Sequence, residues 1–250
     1  MEFQNASIVR RLALAGAAVA LSLSASTFAE VITLRSGQVG AAPGLAGQND
    51  DIVTVLYNNP PRGAISAVPF TPAEFAGAVT GASAQVINAH PAWTPGISDP
   101  LARWINFKAD VQVQPDGSVA GTGYGSPGSA LYAIPFFVTT ATAVGGFFNI
   151  EYAVDDVGGD WYAPYLGGNP NTLYINGVAL AHQGGNYAAS TFHSQYIPFG
   201  PGLNYLHFYQ RDAGILVSGA IFSIVIDVVP TPGSAALLGL GGLVALRRRR

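Results

Sequence analysis

The sequence predicts an all-β fold, an antiparallel two-sheet sandwich of the jelly-roll kind. Three observations predict it. The middle of the chain alternates apolar and polar residues with a period of two. Turn residues recur every 8–15 positions, among 31 Gly and 17 Pro. No stretch of the body carries a convincing amphipathic helical period, beyond a single turn near Pro72 and Phe75.

The strands come in order along the chain. Segments 31–34, 52–57 and 131–138 are short β-rich runs. In segment 104–114, Ile105, Phe107, Ala109, Val111 and Val113 fall on one face, with Asn106, Lys108, Asp110, Gln112 and Gln114 on the other. Pro115-Asp116-Gly117 then turns the chain. Phe148, Ile150, Tyr152 and Val154 alternate with Asn149, Glu151 and Ala153. Segment 173–180 is a hairpin, because Asn176-Gly177 supplies the positive φ angles of a type I′ turn. Segments 203–209 and 220–228 close the domain.

Composition limits the function. The chain of 250 residues is 49% hydrophobic and only 10% charged, with no cysteine. Disulfides and thiolate chemistry are therefore excluded. Between Glu30 and Val229 thirteen acidic residues face five basic ones, a net of −8. Such a body repels nucleic acid, which is not an expected partner.

The ends carry targeting signals. Residues 1–29 join Arg10-Arg11, an apolar run over 12–23 and small residues up to Ala29, the three parts of a secretory signal peptide cut before Glu30. The secretion machinery is thus an expected partner. Residues 30–228 form the sandwich domain. Residues 229–250 hold Pro230, Thr231, Pro232 and Gly233, then an apolar run over 235–246, then Arg247, Arg248, Arg249 and Arg250. The prolines hold the chain extended for a peptidase. The apolar run as a short helix spans only about 20 Å, less than the bilayer core, and the arginines would stop at the cytoplasmic headgroups.

This tail resembles the PEP-CTERM sorting signal in its Val-Pro-Thr-Pro-Gly variant; Thr231 stands where the name-giving motif has Glu. The resemblance implies processing by an exosortase-type membrane peptidase, a transient membrane anchor, and delivery to the cell surface or extracellular matrix. A second resemblance rests on His90-Pro91-Ala92-Trp93, Ala102-Arg103-Trp104-Ile105, Tyr152-Ala153-Val154-Asp155-Asp156, Leu173-Tyr174-Ile175-Asn176-Gly177 and the strands at 203–209 and 221–222. These are similar to galactose-binding-like jelly-roll domains of bacterial surface proteins. Such motifs mark a fold more than an activity.

Two constellations could carry chemistry. Asp155, Asp156 and Asp160 in a Gly-rich loop offer oxygen ligands for calcium, the one cofactor considered. The plainer reading is that they cap a strand end and bond turn amides. Trp161, Tyr162 and Tyr165 could stack on sugar faces of an extracellular polysaccharide. Their plainer role is packing over the sandwich end. His182 and His193 could meet across strands, with nothing marking them as ligands. No nucleophile elbow, P-loop, dinucleotide fingerprint or zinc-protease motif is present. Glu151 with an Asp could build a glycosidase pair, but its place in a strand suits a solvent-facing role. The expectation is a non-catalytic structural or adhesive module, with a carbohydrate-binding module using residues 155–165 as the alternative and a glycan hydrolase third.

Overall fold

Alternation is the strongest structural signal in the chain, and the computed structural model describes its consequences over residues 30–58, 62–113, 119–161 and 166–231. Residues 1–29, Tyr162, Tyr165, Pro232, Gly233, the apolar run over 235–246 and the four arginines lie outside the described residues. Among the described residues no helix is long and apolar enough to cross a membrane.

The first strands are β1 (Glu30–Arg35), the small ribbon β2 (Gln38–Val39) and β3 (Ala42–Pro43), and β4 (Asn49–Asn58). Helix α1 (Pro72–Val79) precedes β5 (Ala82–Val86) and β6 (Ile105–Asn106). A second ribbon pairs β7 (Gln112–Val113) with β8 (Val119–Ala120). The long strands β9 (Ser129–Val138) and β10 (Ala143–Asp155) come next, then β11 (Val157–Gly158), β12 (Leu173–Ile175), β13 (Val178–Ala179) and β14 (Thr191–Ile197). Strands β15 (Gly202–Arg211) and β16 (Gly219–Pro230) complete the series.

The protein is mostly β, built on one large antiparallel sheet ordered β13-β12-β15-β9-β4-β5-β6-β16-β10-β14. β1 covers the edge of β16 over residues 223–228, beyond the point where Ala220 meets Ile105 of β6. The sheet curls, so that its two halves face each other. Tyr132, Ile134, Phe136, Leu206 and Phe208 from one half join Phe148, Ile150, Phe222, Ile224 and Ile226 from the other in a single buried cluster. Fully burying each such side chain contributes about 1.5–3 kcal/mol, so this interface dominates stability.

The residues behind the second resemblance pack in a smaller cluster. Trp93 and Trp104 lie 4.4 Å apart between ring centres, beside Ile87, Ala102 and Ile221. The Trp104 indole N–H donates to the Thr94 carbonyl at 3.2 Å. They hold the long 88–104 connection against the sheet.

Two expectations change. The segment around Pro72 is an eight-residue helix, started by a capping box in which Thr71 and Glu74 bond each other's backbone. Segment 104–114 is no continuous strand. Ile105, Phe107 and Ala109 are buried as expected, but so is Asn106. Its amide donates to the Ser218 carbonyl at 2.5 Å, and its carbonyl accepts the Lys108 N–H at 2.9 Å. Those side-chain bonds replace ladder bonds and end β6 after two residues.

Candidate functional site

The site lies where β10 gives way to loops. Asp156, Val157, Trp161, Gln183, Gly184, Gly185, Asn186, Ala213 and Gly214 surround a depression of ≈ 620 Å³. It falls within the size range of small-molecule sites.

Tyr152 supports the 180–186 loop from beneath. Its ring is fully buried in the core, and its hydroxyl donates to the Gly184 carbonyl at 2.7 Å. That uses the single phenolic proton, so the 2.7 Å contact to His182 Nε2 must be donated by His182. Val154 N–H donates to the Asn186 carbonyl, and Gly184 N–H to the Gly158 carbonyl. The 180–186 loop is thereby strapped to β10 and β11. Gly185 has φ +94°, and a Cβ there would drive into the Tyr152 ring. Only glycine fits.

His182 stacks on His193 at 4.0 Å, so the two histidines do meet. Burial first, and His193 second, lower the His182 pKa to about 4. The imidazole is neutral at pH 7 and keeps the Nε2–H that Tyr152 requires.

Behind Trp161, Asp160 is buried and supports the loop without lining the depression. Its carboxylate accepts from the Tyr209 hydroxyl at 2.8 Å and lies 3.5 Å from the Arg211 guanidinium. Its backbone N–H donates to the Asn169 carbonyl, and its carbonyl accepts from Gly167 N–H. It therefore anchors both ends of the loop that presents Trp161, which is 39% exposed. Gly184 faces that indole, where a Cβ would stand 3.6 Å from the ring.

Asp156 lines the depression, with Asp155 and Asp212 as acidic neighbours behind it. Asp156 accepts from Ala213 N–H at 2.8 Å, and Asp212 accepts from Gly214 N–H at 2.9 Å. Asp155 is buried beside them. Burial, then the hydrogen bond and charge of Asp156, push its pKa up to about 9. It remains protonated at pH 7 and can donate to its neighbour. Burial foremost, with a contribution from Asp156, raises Asp212 to about 6.

The structure thus divides the sequence-predicted site. Trp161 and Asp156 line one depression. Asp160 is committed to Tyr209 and Arg211. Among the described residues no group of three or more His, Asp or Glu side chains is gathered as a metal site would require. Tyr162 and Tyr165 lie outside the described residues. Glu151 lies on the outer face of β10, where it accepts from the Ser98 N–H and hydroxyl.

Sequence reasoning missed Gln183, Asn186 and Asp212. Gly184-Gly185 between two amide side chains signals a tight turn that exposes polar groups, and that pattern could have drawn attention to the loop. A second hollow of ≈ 570 Å³ lies between α1 and the β12–β13 hairpin, lined mainly by Phe70, Phe75, Val79, Val178, Tyr205 and His207. Its apolar walls offer few partners for sugar hydroxyls.

Compared with known proteins, the chain matches no family model and no curated protein sequence.

Proposed function

We propose that this chain is an exported surface protein whose non-catalytic body adheres by binding saccharide at the Trp161 depression. One observation carries this reading. A partly exposed indole lines the same depression as Asp156, Gln183 and Asn186. A flat ring stacks on the apolar face of a sugar, while amides and a carboxylate satisfy its hydroxyls. The curled all-β sheet supports the finer reading of a jelly-roll sandwich related to galactose-binding-like domains.

The tail belongs to the same proposal. β16 ends at Pro230, and Thr231 N–H donates to the Thr142 carbonyl at 2.7 Å. An exosortase-type peptidase cutting beyond Thr231 would leave every core strand intact. The run over 235–246 and its arginines then serve as the transient membrane anchor, with the cell surface or matrix as destination. Replacing Pro230 and Pro232, or deleting Arg247 to Arg250, should block maturation, read as the intact mass of the protein recovered from cells.

The binding test is a polysaccharide and glycan array. Binding by the wild type that falls at least tenfold in Trp161→Ala, with an unchanged circular dichroism spectrum, supports the site. An array with no signal for the wild type returns the body to a purely structural role.

A further inference from the structure

The opposite end of the sheet carries an unusual surface. β16 leaves the fold there, beside the start of β1, β10 and β15 and the ends of β9 and β14. Phe137 and Leu203 are cross-strand partners on the outer face of one half, 60% and 56% exposed. Phe147 and Tyr196 are partners on the outer face of the other half, ring centres 5.6 Å apart, both exposed. Val31 lies two strands further across the same row, opposite Asp227, and Val144 is exposed nearby. Two residues along, that face is more polar, with Ser194, Asn149 and Thr33 in register around Val225. Outer sheet faces are ordinarily polar, and six large apolar side chains are exposed where the chain exits, while Phe192, Ile215 and Leu216 are exposed toward the other end.

The segment of chain just past this exit points to the occupant that covers them. Only four residue steps separate Thr231 from Ala235, the start of the apolar run. Even fully extended they span at most about 14 Å. Once that run is in a bilayer, the rim is held at the headgroup layer.

We propose that this rim is a lipid-contact surface, with Phe137, Leu203, Phe147, Tyr196, Val31 and Val144 resting in the headgroup region. The proposal rests on the reading of 235–246 as a membrane anchor. Aromatic and aliphatic side chains are favoured at that depth. Glu30 bonds the Thr139 and Thr140 amides at this end, and Asp227 stands between Phe147 and Val31. The two carboxylates select uncharged or zwitterionic headgroups over anionic ones. β10 runs from the rim to the saccharide site in 13 residues, or about 40 Å, so the docked body holds Trp161 away from the membrane.

The chain has no cysteine, so one introduced thiol is a unique label. The full-length protein is reconstituted in phosphatidylcholine vesicles containing a headgroup-depth nitroxide lipid. Fluorophores are placed singly at Phe137→Cys, Tyr196→Cys, Ile215→Cys at the far end, and Leu240→Cys within the apolar run. The proposal predicts at least twofold stronger quenching at 137 and 196 than at 215. Quenching at 240 without quenching at 137 or 196 overturns the rim and leaves the anchor standing. Quenching at 137 and 196 without 240 supports the rim and removes the anchor. A blue shift at 137 that grows with protein concentration in lipid-free buffer assigns the surface to a second copy, and also overturns it.

Discussion

The two ends of β10 contrast in composition although one strand joins them. At its Asp155 end, loops rich in glycine are fixed by buried or half-buried polar groups: Tyr152 on Gly184, Asp160 on Tyr209, Asp156 on Ala213. At its Ala143 end, turns are short, and Phe137, Val144, Phe147, Tyr196 and Leu203 are exposed beside Thr139 and Thr142. A loop end held by hydrogen bonds can present a shaped site, because each lost bond leaves a buried group unsatisfied at about 1–3 kcal/mol. An end dressed with apolar side chains has no shape to defend and suits a fluid partner. The strand between them serves both, since its inward face belongs to the common core.

The largest effect should come from that shared core and should not distinguish the ends. Phe222→Ala removes a fully buried ring from the interface between the halves and should cost about 3–5 kcal/mol, seen as a lower urea midpoint. A loss below about 1 kcal/mol would mean that the halves do not depend on one another. Gly185→Ala should break the comparison at one end only. The strained φ and the clash with Tyr152 should destabilise by roughly 1–3 kcal/mol and abolish saccharide binding. Trp161→Ala should leave stability within about 0.5 kcal/mol while binding falls. Phe137→Ser, also exposed, should change neither stability nor saccharide binding.

The acidic cluster of Asp155, Asp156 and Asp212 gives a pH signature. The folded-state pKa of Asp155 is raised, so the native state binds more protons than the unfolded chain between the ordinary carboxylate range and about 9. Stability therefore falls as pH rises through that window. His182 and His207 are both lowered to about 4, chiefly by burial, and add the opposite slope, a gain between about 4 and 6.5. Above about pH 6.5 the decline due to Asp155 stands alone. Asp155→Asn, which mimics the protonated acid, should flatten the melting temperature between about pH 6.5 and 9. An unchanged slope in that variant would place the titration elsewhere.

How much of this is legible in the sequence depends on which way each side chain faces. Phe148, Ile150, Tyr152 and Val154 read correctly because their strand buries one face, which is the condition that makes a period of two visible. Asn176-Gly177 is legible because its turn chemistry is local: φ is +49° and +81° there. β14 escapes the pattern because its alternation is inverted. Phe192 and Tyr196 point outward, while Thr191, His193 and Gln195 are half-buried. α1 reads as one turn because eight residues are too few for a period, although Thr71-Pro72-Ala73-Glu74 already spells its start. At the site, Trp161 and Asp156 are legible as residue types in a Gly-rich loop. Their partners Gln183, Asn186 and Asp212 come from loops 20 to 60 residues away and meet them only through the curl of the sheet.

Hydrogen–deuterium exchange of the full chain, with and without a polysaccharide that binds on the array, tests the division between the ends most directly. Added ligand should slow exchange at 156–161, 183–186 and 213–214, and leave 137–147 and 196–203 unchanged. Protection at the Phe137 and Tyr196 rim instead, with none around Trp161, would contradict the account.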